Sequence, residues 1–187
     1  MPNYNDALNL MHEWVGSESL RKHMICVEAA MCAYAKKLNE DEELWAICGL
    51  LHDFDYEKYQ TYDADLKTGH PYEGIKILRE LGYQEEILDA ILGHAMYSGV
   101  ERKTPMARHL FACDELCGFL VACGYMRPDH FESLDADSVN KKLKNKNFAA
   151  KVSREDIDLG VQELGVDRDE HFNFVISALK GIQDIIF

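Results

Sequence analysis

The sequence predicts an all-α fold, and three observations carry that expectation. Apolar residues recur at spacings of three and four along most of the chain. Cap and stop residues punctuate those stretches. No Val/Ile/Thr-rich alternating run and no Asn-Gly hairpin signal is present.

Nine helices are expected. Asn5–Trp14 is a short amphipathic start. Ser19–Leu38 carries Leu20, Met24, Val27, Met31, Tyr34 and Leu38 on one stripe. Asn39 and Glu42 have the spacing of a capping box ahead of a helix over Asp41–Asp53. Pro71 suits the first turn of a helix that Gly82 closes. Gln84–Tyr97 follows, and Thr104-Pro105 opens a long helix to Gly124. Asp137–Asn145, Ser153–Leu164 and Asp169–Ile186 complete the set, with Gly165 as the stop of the eighth. The only plausible boundary is Arg127–Asp137. Residues 1–126 therefore read as the core and 127–187 as a helical C-terminal extension packed on it. There is no internal repeat and no low-complexity tract.

Composition narrows the function classes. The 187 residues are 47% hydrophobic and 28% charged, as in a soluble globular domain. Asp and Glu number 33 against 20 Lys and Arg, a net charge of −13, which disfavours nucleic acid as a partner. No stretch reaches the roughly 20 clean apolar residues of a membrane span. Met1–Val15 lacks the pattern of a secretory signal. The six cysteines form no CxxC pair and sit in apolar helical stretches as small hydrophobes, although Cys113 and Cys117 are one turn apart. A cytoplasmic, reducing location is expected.

The histidines carry the chemistry. His52 and Asp53 are adjacent at the end of the apolar run Leu44–Leu51. Neighbours on a helix point about 100° apart, so the pair can share one metal only where a cleft wraps around the helix end. His23 lies one helix earlier. Asp114 sits inside the most apolar helix, where a carboxylate must be paired, metal-bound or held by backbone donors. His70 stands near a helix start and His94 within a helix. Imidazole and carboxylate ligands suit Fe, Mn, Co, Ni and Zn. Three such ligands leave positions open for water, whose pKa the cation lowers.

A His, a His-Asp doublet 29 residues later and a distant helical Asp resemble the HD superfamily of metal-dependent phosphohydrolases, at His23, His52, Asp53 and Asp114. Thr68-Gly69-His70-Pro71-Tyr72-Glu73-Gly74 is similar to the HPxxG segment of the HDIG-type branch, and Ile91-Leu92-Gly93-His94-Ala95 to its second histidine motif. The resemblance covers Leu20–Gly124. It implies an HD-domain helical bundle and two divalent transition metals per chain. His23, His52, Asp53 and Asp114 would hold one, and His70, His94 and Asp53 the other. Asp53 and His52 would also be catalytic. The implied activity is hydrolysis of a phosphate ester or anhydride, with a small phosphorylated molecule, a nucleotide, as substrate.

The chain departs from the pattern in two places. Phe54-Asp55-Tyr56 replaces the Ile-Gly after the doublet, and the double histidine of the HD-GYP cyclic-dinucleotide phosphodiesterases is absent. Small stand-alone HD hydrolases are the nearer likeness, among them dinucleoside tetraphosphate hydrolases and nucleotidases. A mononuclear nucleotidase or phosphomonoesterase, and a non-enzymatic module sensing a nucleotide or metal, are the alternatives.

Asn140–Arg154 is a basic island holding Lys141, Lys142, Lys144, Lys146, Lys151 and Arg154 with no acid. It draws phosphate to the cleft or is simply a solvated face. Within it, Lys146 and Arg154 are the candidate substrate contacts, joined by Arg21, Lys22 and Lys103. His109, five residues before Asp114, is a candidate proton donor at the cleft rim. His12, His130 and His171 read as surface or packing residues. The stripe Phe172, Val175, Ile176, Leu179, Ile182 and Ile186 reads as core, or as a homodimer face if exposed.

Overall fold

The computed structural model describes residues 2–187. Helix α1 (Tyr4–Trp14) opens with a reciprocal cap, in which Asp6 N–H donates to Asn3 Oδ1 at 3.1 Å and Asn3 N–H to Asp6 Oδ2 at 2.9 Å. Helix α2 (Glu18–Leu38) starts at Ser17 and stops at Asn39, which takes the left-handed conformation at φ 58°. The expected capping box at Asn39 is therefore corrected. Asn39 closes α2, and Asp41 caps α3 (Glu42–Leu51), accepting Leu44 N–H at 3.0 Å. The residue that tolerates positive φ ends one helix, and the carboxylate three positions before Leu44 begins the next.

Helix α3 stops at Leu51, two residues short of the expectation, so His52 and Asp53 lie where the chain leaves the helix. Pro71 immediately precedes α4 (Tyr72–Glu80). Helix α5 (Glu85–His94) ends at His94, and a short 3₁₀ turn over Met96–Ser98 replaces the expected continuation. Thr104 caps α6 (Pro105–Tyr125). Helices α7 (Ala136–Leu143) and α8 (Arg154–Leu164) follow, α8 between Ser153 and Gly165 as expected. The final expected helix is two. Helix α9 (Arg168–Lys180) breaks at Gly181–Ile182 before α10 (Gln183–Ile186). The break lets Ile186 bury fully and Phe187 stack on His130 at 3.9 Å. No strand occurs among the described residues, only an isolated bridge between Asp63 and Thr68. None of their helices is long and apolar enough to cross a membrane.

One apolar cluster runs from Ala7 in α1 to Ile186 in α10. Helix α2 packs on α3 and α6, α5 and α8 pack along α6, and α9 rests on α2 and α7. The α2–α3 contact is close because residue 49 is glycine: a Cβ there would lie 2.8 Å from the Glu28 Cα. The C-terminal stripe is core, with Phe172, Val175, Ile176, Leu179 and Ile186 all buried. Five of the cysteines are buried, and burial pushes their thiols up.

His171 is a buried polar member of this packing. Tyr34 O–H donates to its Nδ1 at 2.6 Å, and its Nε2–H donates to the Ala112 carbonyl at 3.2 Å, which satisfies the neutral ring. Burial lowers its pKa from 6.5 to about 4. The unfolded chain therefore takes up this proton first, and the stability gained from a neutral His171 is present above pH 6.5 and lost as pH falls toward 4. The difference is on the order of 3 kcal/mol. Denaturant unfolding of the wild type should weaken over that window relative to His171→Gln, which carries no titrating group. Parallel pH profiles would contradict this assignment.

Candidate metal centre

The stop of α3 solves the geometric problem that the adjacent pair poses. His52 keeps helical angles, and the chain then turns through residues 52–58, so both side chains meet others arriving from α2, α4, α5 and α6. His23 comes from α2, Asp114 from α6, His70 from the turn before α4, and His94 from the last position of α5.

Two groups result. His23 Nε2 lies 3.2 Å from His52 Nε2 and 2.9 Å from Asp114 Oδ1, and His52 Nε2 is 3.5 Å from Asp114 Oδ1. His70 Nε2 lies 3.3 Å from His94 Nε2. Asp53 spans both groups: Oδ2 is 3.5 Å from His52 and 3.9 Å from His23, while Oδ1 is 3.3 Å from His70 and 3.4 Å from His94. Each group of three has geometry able to hold a metal ion. With metal–ligand bonds of about 2.1 Å, neighbouring donors at 90–109° stand about 3.0–3.4 Å apart, so these spacings fit.

The outer nitrogens fix the inner ones. His52 Nδ1 donates to the Gly49 carbonyl at 2.7 Å, His94 Nδ1 to the Ile91 carbonyl, and His70 Nδ1 to Asp55 Oδ1 at 2.6 Å. With the proton on Nδ1, each Nε2 lone pair is free to ligate. Charge is unbalanced in the same sense. Burial works against a charged His52, yet Asp53 and Asp114 hold it well above the ordinary imidazole range. Burial likewise opposes ionised Asp53 and Asp114, yet the histidines hold both carboxyls well below theirs. The cluster is a concentrated negative centre that a proton or a cation must satisfy. Its donor set therefore fits divalent metal.

The HD domain family model matches residues 20–117, more than half of the chain. The chain belongs to the HD domain family. That family consists of metal-dependent phosphohydrolases. No curated protein and no solved structure matches the chain.

Beyond its candidate ligands, this HD domain contains residues that sequence reasoning missed. Asp55 is buried, and besides His70 its carboxylate accepts Gly74 N–H at 2.7 Å. Gly74 leaves it room, since a Cβ there would lie 2.7 Å from Asp55 Cγ. Asp55 stood in the sequence as a departure from the HDIG pattern; a carboxylate two residues after the doublet was the available signal. An asparagine offers one acceptor where two donors converge. Asp55→Asn should therefore weaken the His70/His94 metal position about 10–100-fold and spare the other. Metal titration by calorimetry separates this from an equal loss at both positions.

The ligands open into a cavity of about 460 Å³. Its walls include Tyr56, Met96, Tyr97, Glu115, Lys151 and Asp156. Tyr97 O–H donates to the His70 carbonyl at 2.7 Å, and its ring stacks on Tyr62 at 3.5 Å. Glu115 accepts Ser153 N–H at 3.0 Å, and burial beside Asp114 pushes its carboxyl up to about 7.

None of the sequence-derived substrate contacts lines this cavity. Arg21 faces the end of α1, donating to the carbonyls of Val15 at 2.6 Å and His12 at 2.9 Å. Lys22 pairs with Glu18 at 3.0 Å and lines an adjacent cavity beside His23. Lys103 is exposed and pairs with Glu101 at 3.6 Å. Lys146 and Arg154 line a different cavity of about 810 Å³. The Arg154 guanidinium is occupied by the carbonyls of Ala149 and Val152 at 2.6 and 2.7 Å. His109 is not at the rim either. Five residues rotate it about 140° from Asp114, so it packs on Tyr34 and Trp45 at 4.5 and 5.3 Å and donates to the Pro105 carbonyl.

Proposed function

We propose that the protein is a dinuclear metal-dependent phosphohydrolase of small phosphorylated substrates, with nucleotides as the favoured class. The observation that carries this reading is Asp53, whose two oxygens each face a separate histidine group. His23, His52, Asp53 and Asp114 would hold one cation, and Asp53, His70 and His94 the other. Fe, Mn, Co, Ni and Zn all suit these donors. Bound divalent cations supply Lewis acidity and water of lowered pKa.

The chain's own residues do the positioning. Gly49, Asp55 and Ile91 hold three imidazoles in the tautomer that ligates. Tyr56 and Met96, both substantially exposed, offer an apolar wall for the part of the substrate away from phosphorus, as a base and ribose require. The net charge of −13 favours a small anion drawn to metal over a nucleic-acid backbone.

The direct test is hydrolysis of p-nitrophenyl phosphate, its bis-ester and a panel of nucleotides, after reconstitution with each of the five metals. Turnover that a chelator abolishes and metal restores supports the reading. Full metal loading without turnover on any phosphate ester or anhydride contradicts it.

A further inference from the structure

We propose that Lys151 is the side chain that receives the substrate phosphate in the metal cavity, carried there on a preformed arm between α7 and α8. The inference rests on the phosphohydrolase reading and names the residue that selects its anion. Lys151 is the one Lys or Arg among the residues lining the cavity, which also carries the carboxylates Asp53, Asp114, Glu115 and Asp156. None of them pairs with it: among the described residues Lys151 makes no ion pair and no hydrogen bond. Its backbone, by contrast, is pinned on both sides. Arg154 grips the carbonyls of Ala149 and Val152, and Ser153 N–H donates to Glu115, the neighbour of Asp114. Phe148, three residues back, packs edge-on against Phe119 of α6 at 5.4 Å.

The pinned backbone brings an exposed, uncommitted ammonium group to the cavity wall, so only the lysine side chain itself is left to order when an anion binds. Lys151 also lies beyond residue 117, where the family match ends.

Inorganic phosphate is the probe, measured by calorimetry on metal-loaded protein and as an inhibitor of p-nitrophenyl phosphate hydrolysis. Lys151→Ala should weaken phosphate about 10-fold or more. KM should rise in step, with kcat changed far less. Lys151→Arg should recover most of the loss, and metal content and melting temperature should not move in either variant. Phosphate affinity unchanged in Lys151→Ala, with its metals in place, overturns the assignment. So does a loss that Lys151→Arg does not recover. A wild type that binds phosphate without hydrolysing any ester would instead sink the phosphohydrolase reading, leaving the calorimetric test of Lys151 intact. A metal-loaded wild type that does not bind phosphate sinks both.

Discussion

Asp53→Asn is expected to deplete both metal positions and to lower kcat/KM at least about 10³-fold. Among the described residues Asp53 is the one carboxylate with oxygens within 4 Å of histidine nitrogens in both groups, through Oδ2 to His23 and His52 and through Oδ1 to His70 and His94. The amide keeps the size of the side chain but removes its negative charge and one of the two ligating oxygens. Both positions lose a donor at once, unlike Asp114→Asn, which touches only the first group. Losing a single preorganised electrostatic group commonly costs 10²–10³-fold, and this change disturbs two cations together. Elemental analysis beside the turnover assay checks it. Retention of two metals by Asp53→Asn would show that the carboxylate does not bridge.

Gly49→Ala is expected to destabilise the fold by about 3 kcal/mol or more, lowering the melting temperature by roughly 6–12 °C. The added methyl would lie 2.8 Å from the Glu28 Cα and 2.9 Å from its backbone nitrogen, and no side-chain rotation relieves a clash with backbone. Helix α3 must move away from α2, which outweighs the gain of up to about 1 kcal/mol that alanine brings to a helix interior. The site moves with it, because the Gly49 carbonyl accepts the His52 Nδ1 proton. Thermal unfolding and metal affinity should therefore fall together. An unchanged melting temperature would mean that the two helices separate at little cost.

The helices were legible because their signals are local. Periodic apolar residues, Thr104-Pro105, Ser153 and Gly165 each mark a boundary that the structure keeps. The failures were also local competitions. Asn39 fits a cap at either end of a helix, and only the packing of α2 against α3 decides which. The run 169–186 is periodic throughout, so its break at Gly181 depends on where Phe187 must lie.

The candidate ligands could be read from residue type and order, since six of them converge from five separate parts of the chain. The cavity walls could not. Which lysine of the basic island lines the cavity of the candidate ligands depends on how Arg154 folds the segment 145–152, and Lys146 and Lys151 are alike in sequence terms. His109 was misplaced for want of a rotation of about 140° along α6.

The most direct measurement is the number of metals per chain in wild type and in His94→Ala, both purified without oxygen or added metal. The two histidine groups joined by Asp53 predict two metals in the wild type and one in the variant, which keeps His23, His52, Asp53 and Asp114. One metal in both proteins would contradict the dinuclear centre and leave His70 and His94 without the role assigned to them.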